Sequence, residues 1–358
     1  MLRGPAMQLH NSVAITRTAP TEVEVLGGVA VVLNGNARAV TARMVRKIKT
    51  LHPEQHLYLS TSVDHNKHIA AQLVTGGYHT ILFGGGDGTF VCCLNDLKEA
   101  CQRLGRPLPR VGVLPLGTGN AIGHYQGVRP SLQSIARQLV AAQSPAGLAH
   151  TLPLLRVNGR LTPFSGTGLD SQILEDYCAT TRALDTIGLG RWIASPLRYA
   201  IAVALRSVPR FVLRKLPEVE AVNVGGPAFA IGLDGQVDPT PLPRGTVLYR
   251  GRCTLAGAAT VPCYGFGVRI FPFADLRTDR FHLRCTDASA SETLSNLPSV
   301  LRGDYRSPSL HDYLCDAVEL RISQPVPMQS GGDLLPERSD FLRIELADQT
   351  VQLVAARA

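Results

Sequence analysis

Apolar residues follow two rhythms along this chain, and the change from one to the other near residue 150 divides it. In the first rhythm, short continuous apolar runs alternate with helical periodicity. Val29-Ala30-Val31-Val32-Leu33 is apolar throughout, as a strand covered on both faces must be, and it stops at Asn34-Gly35-Asn36. Thr41 then predicts the cap of a helix with Met44, Val45, Ile48 and Leu51 on one face. His56 to Ser60 predicts a second strand, and Asp64 the cap of a helix that turns Ile69, Leu73 and Val74 inward and closes at Gly76-Gly77. Ile81-Leu82-Phe83 is a third buried run that breaks into glycines. A helical pattern through Leu94, Leu97 and Cys101 follows, then a strand over 111–114 and a helix from Leu132 to Val140. Strands alternating with helices predict a parallel α/β sheet.

In the second rhythm the runs are short and close together. Leu154 to Arg160 reads as a hairpin. Strands are expected over Val219 to Val224, Ala228 to Leu233, Thr246 to Leu255, Tyr264 to Ile270, Phe281 to Cys285, Ala317 to Ile322, Phe341 to Leu346 and Thr350 to Val354. Gly225-Gly226-Pro227, Pro239 to Pro243 and Pro325 to Pro327 punctuate them. This predicts an antiparallel, sandwich-like second domain. The expected organisation is a flexible tail over 1–26, an α/β domain over 27–150 and a β-rich domain over 151–358, with the last strands folding back toward the first.

One helical stretch interrupts the strands. From Arg191 to Lys215 there are six basic residues and no acid, interleaved with Trp192, Leu197, Ile201, Leu205 and Phe211. Arg191, Arg198, Arg206, Arg210 and Arg214 gather on one broad side, although Pro209 must kink or end the helix. Such an element either lies on an anionic membrane or covers the β domain with a solvated basic face.

Composition narrows the class. The 358 residues exceed what one hydrophobic core usually organises, and no run of 18 uncharged apolar residues could span a bilayer. Met1 to Pro20 has no continuous apolar segment of the kind a secretory leader needs. The eight cysteines lack C-x-x-C spacing and read as reduced, mostly buried residues of a cytoplasmic protein. The net charge of +8 is diffuse, with no basic block interleaved with aromatics, so nucleic acid is not an expected partner. Neither H-E-x-x-H nor G-x-S-x-G occurs, which disfavours a zinc protease and an esterase.

The candidate chemistry lies where the buried runs break. Gly84-Gly85-Gly86-Asp87-Gly88-Thr89 ends one strand, and Gly117-Thr118-Gly119-Asn120 ends the next. Bare glycines let a ligand approach main-chain N–H groups, which suits a phosphate. Either loop alone is equally compatible with a structural strand-to-helix turn. There is no G-x-x-x-x-G-K-[ST], and Gly123 comes one position too late for G-x-G-x-x-G after Gly117-Thr118-Gly119.

Gly85-Gly86-Asp87-Gly88-Thr89, followed by Pro115-Leu116-Gly117-Thr118-Gly119-Asn120, resembles the lipid kinase family of diacylglycerol, sphingosine and ceramide kinases. The first loop is also similar to that of NAD kinase. The resemblance implies ATP with Mg²⁺, and transfer of the γ-phosphoryl group to a lipid hydroxyl at an anionic membrane surface. It implies a cytoplasmic, peripherally membrane-associated protein, and a homodimer is compatible with it. ATP would contact Asn34, Gly35 and Asn36, the amides of Gly85, Gly86 and Gly88, the Thr89 hydroxyl, and Gly117, Thr118 and Asn120. Asp87 would take a hydrated Mg²⁺ or orient the acceptor hydroxyl, unless it only stabilises its loop as an Asx-turn. Gly166-Thr167-Gly168-Leu169-Asp170-Ser171 resembles the family's glycine-x-aspartate segment, making Asp170 the candidate for the lipid hydroxyl or else a helix cap. Arg182 beyond it could reach ATP phosphates as a fork. Ala121 after Asn120 looks closer to the sphingoid and ceramide branch than to the bacterial diacylglycerol branch.

Two departures from the family pattern stand out. The segment through Phe271-Pro272-Phe273-Ala274 to Asp279 is similar to one that holds a structural Mg²⁺ in some bacterial members, which makes Asp279 a metal candidate. Arg280 stands there in place of the usual glycine and would compete with the metal. Near the C-terminus, Gln329-Ser330-Gly331-Gly332-Asp333 has glycine where the family carries its base aspartate, and Asp333 in place of glutamate. Either Asp333 takes over as base, aided by Asp87 or Asp170, or the chain binds nucleotide or lipid without transfer. A soluble kinase of the NAD kinase type is the other alternative.

Overall fold

The computed structural model describes residues 28–144, 147–188, 192–193, 195–213 and 216–354. Its first half runs β1 (Val29–Asn34), α1 (Ala42–Lys49), β2 (Leu57–Ser60), α2 (Val63–Thr75), β3 (Thr80–Gly85), α3 (Asp87–Leu104), β4 (Arg110–Pro115), α4 (Ala121–Tyr125), α5 (Leu132–Gln143) and β5 (Ala149–Leu152). The second half runs β6 (Leu155–Val157), β7 (Arg160–Thr162), β8 (Phe164–Gly168), α6 (Leu169–Thr186), α7 (Ser195–Ala202), α8 (Val208–Leu213), β9 (Glu218–Asn223) and β10 (Phe229–Ile231). After these come β11 (Val247–Arg252), β12 (Leu255–Ala259), β13 (Phe281–Thr286), α9 (Ala290–Ser295) and α10 (Leu297–Arg302). The chain ends through β14 (Leu310–Cys315), β15 (Ala317–Val326), β16 (Met328–Ser330), β17 (Asp333–Leu334), β18 (Ser339–Leu346) and β19 (Val351–Val354).

The apolar strands form a sheet in the order β2-β1-β3-β4-β19-β5, parallel from β2 to β19, with β5 antiparallel at the edge. Both faces are covered, which is why these strands show no polar alternation. Ala30, Val32, Ile81 and Phe83 pack with Ile69 and Leu73 of α2 and Phe90, Leu94 and Leu97 of α3. Val31, Leu33, Leu82 and Leu114 pack on the other face with Ile48 of α1 and Ile135 and Leu139 of α5. Each fully buried aliphatic or aromatic side chain contributes about 1.5–3 kcal/mol. Strand β19 sits between β4 and β5, so the chain's last described residues complete the first sheet.

The second half contains two antiparallel sheets, β10-β14-β13-β12-β8-β16-β17 and β11-β9-β15-β18-β6-β7. Their facing sides share one core in which Leu155, Val219, Val318, Leu320 and Ile344 meet Ala256, Phe281, Leu283, Cys285 and Met328. Phe164, Leu255, Val261 and Phe271 join the core of α2 and α3 instead, so packing is continuous across the two halves. The parallel α/β sheet and the antiparallel sandwich are the fold class that the two rhythms predict.

Several local expectations need correction. Ser62, not Asp64, caps α2: its hydroxyl accepts the His65 amide at 3.1 Å, while Asp64 lies inside the first turn. Such a cap is worth about 1 kcal/mol. The expected strand Tyr264 to Ile270 is instead a short 3₁₀ turn over Gly265–Gly267 with Phe266 at φ 62. Thr246 to Leu255 divides into β11 and the start of β12. In the basic stretch, Arg191 and Arg214 lie outside the described residues. Pro209 has no N–H to donate, and the helix widens into a π turn over Val203–Ser207 ahead of it. Arg210 turns back to pair with Asp176 of α6, and Arg198 lies 3.5 Å from Asp185, so neither is on a purely solvated face. Among the described residues no helix is long and apolar enough to cross a membrane, and all eight cysteines are free.

Candidate active site

Parallel pairing brings the strand ends together: Leu33 lies opposite Gly84, and Gly84 and Gly85 lie opposite Leu114 and Pro115. The loops after β1, β3 and β4 therefore leave the sheet side by side, as binding loops of open α/β sheets do. The two glycine loops touch. Leu116 and Gly117 both donate their N–H to the Gly85 carbonyl, at 3.1 and 2.9 Å. A Cβ on Gly117 would stand 2.2 Å from Gly86 Cα, so only glycine permits this approach.

Helix α3 starts in the middle of this contact. Its N-cap is Gly86, which has no side chain to cap with, and the Phe90 amide is the first to return to the Gly86 carbonyl, at 3.0 Å. The amides of Gly88 and Thr89 thus have no acceptor within the helix, and the positive end of an 18-residue helix dipole lies behind them. Asn34 of β1 donates to Thr89 Oγ1 at 2.8 Å, and the Asn36 amide donates to Asn34 Oδ1 at 2.9 Å. Gly35 donates to the Ser60 carbonyl at 2.7 Å. In the second loop Asn120, at φ 55, accepts from Gly117 N and donates back to the Gly117 carbonyl. Asn120 therefore shapes its own loop, while Thr118 is exposed at the tip.

Three carboxylates surround these loops, and their environments differ. Asp87 is buried, and its Oδ1 accepts the Ile122 amide at 3.3 Å at the start of α4. Burial pushes its pKa up to about 6, with Asp333 adding to the rise and the amides of Ala121 and Ile122 opposing it. Its Oδ2 would be 3.0 Å from a Cβ on Gly119, so the carboxylate lies beneath the second loop.

Asp170 begins α6. Its Oδ1 accepts from Ser171 N at 2.7 Å, with the Ser171 hydroxyl at 3.2 Å. Its Oδ2 accepts from Tyr264 OH and Gln329 Nε2, both at 3.2 Å. Burial raises its pKa, and these same donors pull it back. A carboxylate has about four acceptor positions, and at least three of those of Asp170 are engaged internally, since the single Ser171 hydroxyl hydrogen is shared with the Gly166 carbonyl. These bonds tie it to Ser171, Tyr264 and Gln329.

Asp333 is the open one. No hydrogen bond reaches its carboxylate among the described residues, and a Cβ on Gly88 would stand 2.2 Å from its Oδ2. The protein around the carboxyl raises its pKa, and Arg160, at the start of β7, opposes the rise. The turn between β16 and β17 brings Asp333 here: Ser330 pairs with Asp333, and Gly331 and Gly332 between them have φ 61 and 87. This is a two-residue hairpin turn whose left-handed angles favour glycine at both positions.

The remaining two candidates are Arg182 and Asp279. Arg182 is exposed on α6, and its Nε donates to the Cys178 carbonyl at 3.4 Å. Asp279 is gripped by Arg277 through both oxygens, at 2.9 and 2.7 Å, and is approached by Arg280 at 3.4 Å. With arginines engaging both its oxygens, Asp279 does not fit a metal ion as the sequence suggested. Among the described residues no group of three or more His, Cys, Asp or Glu side chains could hold a metal ion. Sequence reasoning missed Tyr264, Gln329 and Arg160. Gln329 stands next to the Gly-Gly turn, and the glycines on either side of Phe266 were the available sign that Tyr264 leads into a turn.

Residues 29–148 match the family model described as the diacylglycerol kinase catalytic domain. A curated Pseudomonas aeruginosa protein named "Probable lipid kinase YegS-like" is 33% identical over 102 residues, which is 28% of this chain and 30% of that protein. The match thus spans less than a third of that relative's length. The crystal structure of a diacylglycerol kinase from Bacillus anthracis strain Sterne superposes with a TM-score of 0.59, at 13% identity, over 92% of this chain and 96% of its own. At that identity the likeness is one of fold.

Proposed function

We propose that this chain, which carries a diacylglycerol kinase-type catalytic domain over residues 29–148, is an ATP-dependent lipid kinase that transfers the γ-phosphoryl group to the hydroxyl of a membrane lipid. The observation that carries this reading is the contact of the two glycine loops at Gly86 and Gly117, with the open carboxylate of Asp333 lying on Gly88. Phosphoryl transfer asks the protein mainly for positioning and charge stabilisation. The amides of Gly88 and Thr89 hold phosphate oxygens, and Asn34 fixes Thr89 beside them. Asp333 receives the proton of the acceptor hydroxyl, because no donor among the described residues reaches its carboxylate, whereas Asp87 accepts the Ile122 amide and Asp170 accepts from Ser171, Tyr264 and Gln329. Asp170 organises the acceptor side.

A divalent cation fits the pair Asp87 and Asp333, whose mutual repulsion contributes to the raised pKa of Asp87. Mg²⁺ characteristically takes one or two carboxylates and completes its shell with phosphate oxygens and water. When bound it would neutralise phosphate charge.

The acceptor side supports a lipid. A pocket of about 80 Å³ opens beside Gly168 and Leu169, next in sequence to Asp170, and is lined by Val219, Val326 and Pro327 among others. Gln172, Arg210, Gln324 and Arg338 also line it, so it is a small, mixed pocket whose apolar part favours contact with a lipid over the wholly polar groove that an acceptor of the NAD kinase type needs. Trp192 and Leu205 are 77% and 73% exposed on the α6 to α8 side, which supports peripheral contact with a membrane. Ceramide or sphingoid bases and diacylglycerol both remain acceptors under this reading. The glycine at 331 favours a second reading, in which the protein binds nucleotide and lipid without transfer. Incubation with labelled ATP, Mg²⁺ and vesicles containing ceramide, sphingosine or diacylglycerol separates the two. A labelled lipid supports the kinase, whereas ATP binding with no labelled lipid supports the binder.

A further inference from the structure

We propose that Tyr264 and Gln329 are positioning residues that lock the acceptor-side carboxylate Asp170 in register with both glycine loops. The inference deepens the kinase reading and rests on it for its catalytic consequence. Two hydrogen-bonded arms leave Asp170 Oδ2. Along the first, Tyr264 donates its phenolic hydrogen to Asp170 at 3.2 Å. The residues after Tyr264 then dock on the second glycine loop: the Phe266 amide donates to the Gly119 carbonyl at 2.8 Å, and a Cβ on Gly265 would stand 2.9 Å from Gly119 Cα. Along the second arm, Gln329 donates to Asp170 at 3.2 Å and to the Tyr264 hydroxyl at 2.9 Å, and its Oε1 accepts the Gly332 amide at 3.2 Å. Gly332 leads directly into Asp333, whose carboxylate lies on Gly88 in the first glycine loop.

Donors and acceptors in this bridge are matched. The two amide hydrogens of Gln329 go to two oxygens, the phenol gives its single hydrogen to the carboxylate, and the glutamine oxygen takes a main-chain N–H. Gln329 is buried, and the Tyr264 ring is held between Phe164 and Phe271 at centroid distances of 4.6 and 5.2 Å. A buried, fully satisfied network is rigid because breaking any link strands a desolvated polar group. Neither residue touches the phosphate cradle itself, so their effect is on the spacing between acceptor and donor.

The test uses Tyr264→Phe, which keeps the packed ring, and Gln329→Ala. For both variants kcat for lipid phosphorylation should fall about 10- to 100-fold while ATP affinity stays within about twofold, as expected for a misplacement of about 1 Å. A readout independent of turnover accompanies this: amide exchange at Gly332 should accelerate at least about tenfold in Gln329→Ala and stay unchanged in Tyr264→Phe, because one hydrogen bond protects that site. Unchanged exchange at Gly332 in Gln329→Ala overturns the bridge whatever the activity. If the wild-type protein labels no lipid, the kinase reading fails, and the exchange measurement alone decides the bridge.

Discussion

A Cβ added to Gly88 would come within 2.2 Å of Asp333 Oδ2, so the carboxylate rests on the bare first turn of α3. Residue 88 belongs to the parallel-sheet half of the fold and residue 333 to the sandwich, and under the proposed function this contact brings an acceptor for a proton next to the amides that would hold phosphates. Because the obstructing atom is the free end of a side chain on an exposed turn, Gly88→Ala should fold normally and push Asp333 aside. Lipid phosphorylation should fall about 10²-fold or more, comparable to Asp333→Asn, with the melting temperature almost unchanged. A Gly88→Ala protein with wild-type turnover would remove Asp333 from the chemistry.

The pH dependence of stability should report on Asp87. Its pKa in the fold, about 6, lies above its ordinary value of 3.8, with burial as the main cause. A carboxyl raised in the folded state contributes its full stability below the unfolded pKa and loses that contribution as pH rises through the folded one. Asp87→Asn retains an oxygen for the Ile122 amide but cannot ionise. The variant should therefore gain on the wild type between pH 4 and 7, by about 1–3 kcal/mol at the upper end, while losing phosphoryl transfer. Parallel curves of melting temperature against pH for the two proteins would contradict the assignment.

The uneven legibility of the sequence has a physical basis. Val29 to Leu33 and Ile81 to Phe83 are readable because a strand buried on both faces has no polar alternative, and the glycines that follow them are required by the contact at Gly86 and Gly117. Tyr264 to Ile270 misleads because Tyr, Phe, Val and Ile favour strands by side-chain type, whereas the left-handed backbone at Phe266 is set by docking on Gly119. Asp170 stands out in the sequence as a candidate, but its hydrogen bonds do not, since its partners Tyr264 and Gln329 lie 94 and 159 residues away. The role of Asp333 depends on the angles of a two-residue turn, which the Gly-Gly pair only permits.

That turn makes a prediction that goes against what the resemblance implies. Gly331 stands where the resemblance implies an aspartate, so Gly331→Asp looks like a restoration. In this fold a Cβ at 331 would meet Val91 Cγ2 at 2.3 Å and Thr162 Oγ1 at 3.1 Å, at a backbone φ of 61. The side chain would point into α3 and β7 rather than toward Asp87. Gly331→Asp should lower stability by about 1–3 kcal/mol and raise no activity, measured by urea denaturation and by lipid labelling. A gain in turnover would mean that the turn can adopt a second geometry.

Arg280 stands where the resemblance implies a structural cation, and its surroundings are those a hard cation would choose. Its guanidinium donates to the Asp279 carbonyl at 2.7 Å and to the Pro227 carbonyl at 3.4 Å, and it lies 3.4 and 3.6 Å from carboxylate oxygens of Asp279 and Asp316. Asp316 in turn accepts the Gly226 amide at 2.9 Å, so the charge ties the loop before β10 to the ends of β13 and β14. A covalently attached cation needs no metal supply. The melting temperature of the nucleotide-free protein should therefore be indifferent to EDTA and to added Mg²⁺. Arg280→Ala should cost about 1 kcal/mol, because Asp316 and the Pro227 carbonyl lose their cation while Arg277 still pairs with Asp279. Arg280→Gly should suffer the same loss, and millimolar Mg²⁺ or Ca²⁺ should recover little of it, because Arg277 still engages both Asp279 oxygens. A wild-type protein that loses several degrees in EDTA, together with an Arg280→Ala variant of unchanged stability, would show that this arginine does not replace the ion.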